Sequence, residues 1–186
     1  MHFGDIARNF VGDKTKYKAV RKEIKIGIAT GGILCVWLFG GFYLAGNLHL
    51  AGRLSNVRAI TGLIGLVVLF AGVFLSIRKG KEENQDFTYW QAVKTGVIVS
   101  LTVAIVISFA GGLHVLLYPQ YANDMVKEAE QSLRQSNLTV DEINTKLESV
   151  RKEYSLFMQM TQPLIAQSVA GTLFSIILSF FFRTKK

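Results

Sequence analysis

DFTYWQAVKTGVIVSLTVAIVISFAGGLHVLLY, residues 86–118, begins with three aromatics and a lysine and then runs from Thr95 to Tyr118 without one Asp, Glu, Lys or Arg. A hydrocarbon core of about 30 Å takes about 20 helical residues to cross. The run is long enough to span. Charge is also swept from the stretches between Lys25 and Arg53, between Arg58 and Arg78, and between Glu153 and Arg183. Four buried helices of a water-soluble bundle would each need a polar face, since part of every such helix meets water. None of the four runs has one. Spans are therefore expected at about 26–45, 59–77, 95–118 and 163–182.

Composition agrees with a lipid solvent. Half of the 186 residues are hydrophobic and 18% are charged, with a mean hydropathy of +0.32. The first apolar block follows a basic tail, as a signal peptide does, but runs past the usual 7–15 apolar residues without a small-x-small cleavage site. It reads as an uncleaved anchor. The single cysteine, Cys35, lies inside that first span, so no intramolecular disulfide or Cys metal cluster can form.

Threading follows from lysine and arginine, which are retained on the cytoplasmic side of a span. The N-terminal tail, the loop from Arg78 to Lys94 and the C-terminal Arg183, Lys185 and Lys186 hold fourteen of the 21 cations. With the acids counted, that side carries the whole formal excess of +8 and the other side is neutral. Both termini are expected in the cytoplasm. A basic patch for nucleic acid is the other reading of this charge, but no aromatic-rich binding fold accompanies it, and no nucleic acid is expected.

The opening residues fit the entry to a span. Thr88 and Gln91 form T-x-x-Q, a capping box that satisfies the first free amides of a helix. Phe87, Tyr89 and Trp90 then act as interface anchors at headgroup depth, and Lys94 snorkels its ammonium back to the surface. The pattern F-x-x-W-Q-A-x-K-x-G, a following span, Tyr118, Pro119 and Tyr121 at its exit, and a Pro-led last span ending in basic residues resembles the bacterial domain of unknown function family 4199. The likeness covers roughly Ile24 to Lys186. It implies a small four-span protein of the bacterial cytoplasmic membrane and brings no reaction, ligand or catalytic residue. The basic tail, residues 1–25, departs from the family's minimal pattern.

Helices in lipid gain little by hiding leucine, so close packing depends on small residues that let backbones approach. Gly96, Ser100, Ala104, Ser108 and Gly112 recur every fourth residue in the third span; Gln167, Gly171, Ser175 and Ser179 do so in the fourth, and Gly27, Gly31 and Cys35 in the first. These are the expected helix-packing positions, between spans three and four or against a partner helix.

About forty residues separate Pro119 from Pro163. Thr139 and Glu142 form a second capping box, and Val140, Ile143, Leu147, Val150, Tyr154 and Phe157 follow at spacings of three and four. Tyr121, Met125, Ala129 and Leu133 mark an earlier helix, with Gln135, Ser136 and Asn137 as the turn. The expected fold class is all-α integral membrane, four transmembrane helices with an extramembrane helical hairpin, about 120–158, between spans three and four. Either the two hairpin helices pack on each other or a partner's helix fills the seam. At the other end, Phe3, Ile6, Ala7, Phe10 and Val11 share one helical face, and the basic run from Lys14 to Lys25 would be drawn to anionic lipid.

Catalytic signals are lacking. No charged residue lies deep in a span, where proton relays and ion coupling need one. His49 and His114 near the outer ends of spans one and three are two ligands without a third, a poor metal site, and read as interfacial residues. No cofactor is expected, and the chain is expected not to be an enzyme. Two function classes remain. One is a noncatalytic accessory or scaffold subunit that contacts a membrane protein partner or a second copy. The other is a small oligomeric carrier or channel, lined by Thr30, Ser100, Thr102, Ser108, Gln162 and Gln167.

Overall fold

The computed structural model describes residues 3–47, 54–84 and 86–182, with side chains at 20–41, 43, 60–84 and 86–182. Six helices follow one another: α1 (Phe3–Asn47), α2 (Leu54–Glu83), α3 (Tyr89–Leu117), α4 (Gln120–Arg134), α5 (Val140–Glu153) and α6 (Leu156–Phe182), with no strand among the described residues. Four of them contain stretches long and apolar enough to cross a membrane: Val20–Gly41, Ile60–Glu83, Tyr89–Leu117 and Leu156–Phe182.

Helix α3 is the axis of the bundle. It packs most extensively on α6 and also contacts α1 and α2. Its apolar stretch is 56% buried, against 33% or less for the others, so the remaining spans gather around it. The core joins Leu34 of α1, Leu69, Val73 and Ile77 of α2, Val99, Val103 and Ile107 of α3, and Leu178 of α6.

The distribution of polarity runs opposite to that of a water-soluble bundle. Ser100, Ser175 and Ser179 are fully buried, while Val36, Phe109 and Phe181 are 75%, 67% and 76% exposed. Such an apolar exterior around hydroxyl-bearing contacts suits acyl chains as solvent. The protein is all-α and multi-pass.

Boundaries differ from the sequence expectation at two places. Helix α1 passes through residue 25 without a break, so the basic run from Lys14 to Lys25 is helical and continuous with the first span. The last helix starts at Leu156, seven residues before Pro163. A proline lacks the amide that would bond back to the fourth preceding carbonyl, here that of Gln159. The lost bond is local, and the helix continues across it.

The hairpin folds on itself. Helices α4 and α5 pack against each other, turning at Gln135–Asn137, where the Ser136 hydroxyl donates to the Leu133 carbonyl at 2.5 Å. Met125 is buried, and Ala129, Leu133, Ile143, Leu147 and Val150 are half-buried. The seam is shorter than its sequence pattern. Val140 is 72% exposed, and Phe157, 71% exposed, belongs to α6, because the chain breaks at Tyr154 and Ser155. Ser155 starts the new helix by accepting from the Met158 amide at 3.4 Å.

Candidate functional site

The small residues of α3 and α6 meet in antiparallel register. A Cβ on Gly96 would lie 2.7 Å from the Cβ of Ser175, and one on Gly171 would overlap the Ser100 hydroxyl. At these two positions the glycine of one helix thus receives a serine of the other. The serines turn their hydroxyls back along their own helices. Ser100 donates to the Gly96 carbonyl at 2.7 Å, Ser175 to Gly171 at 2.6 Å, and Ser179 to Ser175 at 2.5 Å. The polar atoms are spent before the helices touch, so the interface closes without an unpaired hydroxyl. Ala104 is fully buried in the same helix.

Further along, the seam is built around Pro163. The Ser108 hydroxyl donates across to the Met160 carbonyl at 2.5 Å, and the Gln159 carbonyl, which Pro163 cannot bond, faces Gly111. A Cβ on Gly111 would stand 2.5 Å from that carbonyl oxygen, whereas one on Gly112 would meet the movable Met160 side chain at 2.9 Å. Gly111 is therefore the stricter requirement. The four-residue spacing marks Gly112 and passes over Gly111. The signal that could have found it is the proline itself, which frees a carbonyl on the facing helix.

Helix α1 joins by the same means. Gly27 receives Thr102 and Gly31 receives Val106, while Thr30 packs into Gly72 of α2. Beside this contact the Thr95 hydroxyl donates to the Glu23 carboxylate at 2.7 Å, bonding α1 to α3. Glu23, counted from sequence with the basic tail, is instead half-buried between two spans. Nearby Lys22 and Glu83, paired at 2.7 Å, tie α1 to the end of α2.

Of the expected anchors, Trp90 is 68% exposed, Lys94 is exposed, and Tyr89 is half-buried with its ring 5.1 Å from that of Phe180. Phe87 differs. It is 3% exposed, inserted against Gly80, where an added Cβ would come within 2.9 Å of the ring. It closes the α2–α3 elbow from inside, so it is a core residue and no headgroup anchor. The capping box that sets this elbow is present, with the Thr88 amide donating to Gln91 Oε1 at 2.9 Å and the Gln91 amide to Thr88 Oγ1 at 3.3 Å.

At the opposite end lies a cluster the sequence did not reveal. His114, expected at the interface, is 4% exposed. Its ring lies 5.8 Å from Phe39 of α1, 5.2 Å from Tyr118 and 4.8 Å from Tyr121 of α4, and Tyr121 in turn meets Tyr154 at 5.6 Å edge to face. These rings seat the hairpin on the bundle. His114, Tyr118 and Tyr121 follow at spacings of four and three, but Phe39 and Tyr154 are distant in sequence, and only the fold brings them to the others. His49 and Arg53 lie outside the described residues. Among the described residues no three His, Cys, Asp or Glu side chains gather where they could hold a metal ion.

The family model described as "Protein of unknown function (DUF4199)" matches residues 25–184. The chain belongs to this family. For a DUF4199 protein the match begins within the first span and runs past the end of α6, so it takes in most of the first span, the other three and the hairpin together. The first 24 residues fall outside it. No curated protein and no solved structure matches the sequence.

Proposed function

We propose that this protein is a noncatalytic accessory or scaffold subunit of the bacterial inner membrane, with both termini cytoplasmic, acting through contact with another membrane protein or a second copy. The state of the polar groups inside the bundle carries this reading. A carrier needs hydroxyls and amides facing a hydrated path. Here Ser100 and Ser108 are spent on backbone carbonyls, Thr102 donates to Ile98 at 2.8 Å and packs on Gly27, and Thr30 is buried against Gly72. Four of the six residues that would line a pathway are sealed in helix contacts.

Further support comes from the hairpin, which stands beyond the span ends as a surface another protein can reach. The positive ends of the spans favour the stated orientation. The N-terminal basic run fits anionic lipid, although its side chains before Val20 lie outside those described.

The carrier reading draws on one observation, Gln167. Its Oε1 is buried in α6 without a hydrogen-bond partner, and such an unspent acceptor in a span is costly unless used. Two measurements decide between the readings. Purification in mild detergent should retain a membrane protein at fixed stoichiometry, and liposomes containing the purified chain alone should pass no solute faster than empty ones. Solute flux that disappears in Gln167→Leu would reverse the assignment.

A further inference from the structure

One end of the bundle gathers α1 near residues 21–25, the end of α2, the elbow at 84–88 and the C-terminal end of α6. Arg21, Lys25, Lys79, Lys81 and Lys94 are all exposed there. None of the five is ion-paired among the described residues. The acids at this end mostly have partners within the chain. Glu83 is held by Lys22 at 2.7 Å, Glu82 by Arg78 at 2.9 Å, and Glu23 accepts from Thr95 at 2.7 Å. Among the described residues of this end, Asp86 is the one exposed acid outside an ion pair. Each ion pair removes one cation with its acid, so five cations outside ion pairs against Asp86 leave the outward surface net positive.

We propose that this end of the bundle is a docking surface for the headgroups of anionic glycerophospholipids. Orientation by charge needs only cations beyond the span, and Lys94 is not beyond it. It lies in the second turn of α3, inside the apolar stretch Tyr89–Leu117. Trp90, 68% exposed, sits four residues earlier on the same face. A lysine at that depth reaches outward along its own stem, and the first strong acceptor it meets is a lipid phosphate. The indole N–H of Trp90 offers a second donor at the same level.

The occupant is a lipid, more than an acidic protein segment, because the surface is continuous with the acyl-facing sides. Val20 and Ile24, next in sequence to Arg21 and Lys25 on α1, are 41% and 39% exposed, and Leu101, on α3 seven residues after Lys94, is 46% exposed. A headgroup with attached chains satisfies both parts of this border at once. A soluble acidic segment satisfies only one.

The test uses the full purified chain in nonionic detergent, offered equimolar phosphatidylglycerol and phosphatidylcholine with identical acyl chains, with retained lipid counted by native mass spectrometry. Phosphatidylglycerol should be retained in excess, the excess should shrink as ionic strength rises, and Lys25→Gln, Lys79→Gln and Lys94→Gln should each lower it by up to about five-fold. Equal retention of the two lipids would overturn the proposal, as would an undiminished preference in the triple variant. Displacement of phosphatidylglycerol by millimolar inorganic phosphate would make this a site for free phosphate and would also overturn it. Should the triple variant not fold, Lys79→Gln alone and the salt series on the natural chain decide the matter.

Discussion

Glycines in this chain separate into two physical classes, and the difference can be measured one residue at a time. Gly96 and Gly171 are places where the facing helix leaves no room for a methyl group, whereas around Gly32, Gly40 and Gly62 an added Cβ meets nothing within 4 Å. Overpacking a closed contact costs about 1–3 kcal/mol. Gly171→Ala should therefore lower the unfolding temperature in detergent, and Ser100→Gly in the same chain should recover part of the loss, since the two positions share one space. Gly32→Ala and Gly62→Ala should leave it unchanged or raise it, because alanine is the better helix former. Equal effects from both classes would remove the basis for the α3–α6 seam. The four-residue spacing made Gly96, Ser100 and Gly171 legible in the sequence, since periodicity encodes a face. It could not separate Gly111 from Gly112, because that depends on which carbonyl of another helix is left without a donor.

Elements were legible where their signals are local. Both capping boxes form, and each lies at the start of its helix. Thr88→Ala should cost about 1 kcal/mol, as loss of an N-cap usually does, and appear as faster hydrogen exchange in the first turn of α3. The second box responds to pH. The Thr139 backbone amide, followed by its hydroxyl, holds the Glu142 carboxyl below the usual glutamate range. A depressed folded value means that the contribution to stability is present above the unfolded value of about 4.3 and is lost as pH falls through the folded one. An NMR titration of Glu142 should give a midpoint below that value, and Thr139→Ala should return it upward. A midpoint at or above about 4.3 in the natural chain would contradict the box. Element boundaries that depend on other helices were less legible. The break at Tyr154 and Ser155 interrupts a heptad that reads as continuous, because Tyr154 is drawn into the ring cluster below the hairpin. Phe87 likewise looks like an anchor from its neighbours Tyr89 and Trp90 and is buried because Gly80 opens a slot for it.

Over the whole molecule, two ends of the bundle are held by different forces. At the basic end the ion pair of Lys22 and Glu83 is more than half exposed on both side chains, and such a pair contributes little. Lys22→Gln should shift stability by less than about 1 kcal/mol. At the other end His114, Tyr121 and Tyr154 join three segments through ring contacts removed from solvent, which contribute more than an exposed pair. Tyr154→Ala should loosen the hairpin, seen as faster exchange across α4 and α5 with the exchange of α3 unaltered. The pairing of Lys22 with Glu83 also places the start of the first span and the end of the second at one end of the bundle, as alternating passes require. An even number of spans then returns the last helix to the side on which the first began. With the cations concentrated there, the orientation proposed above puts that side in the cytoplasm and the hairpin away from it. In a Cys35→Ala background, Ser136→Cys should react with a membrane-impermeant maleimide in intact cells, and Lys185→Cys only after permeabilisation. The reverse pattern would leave the four spans standing and invert the orientation, moving the anionic-lipid surface to the outer leaflet and the hairpin to the cytoplasm.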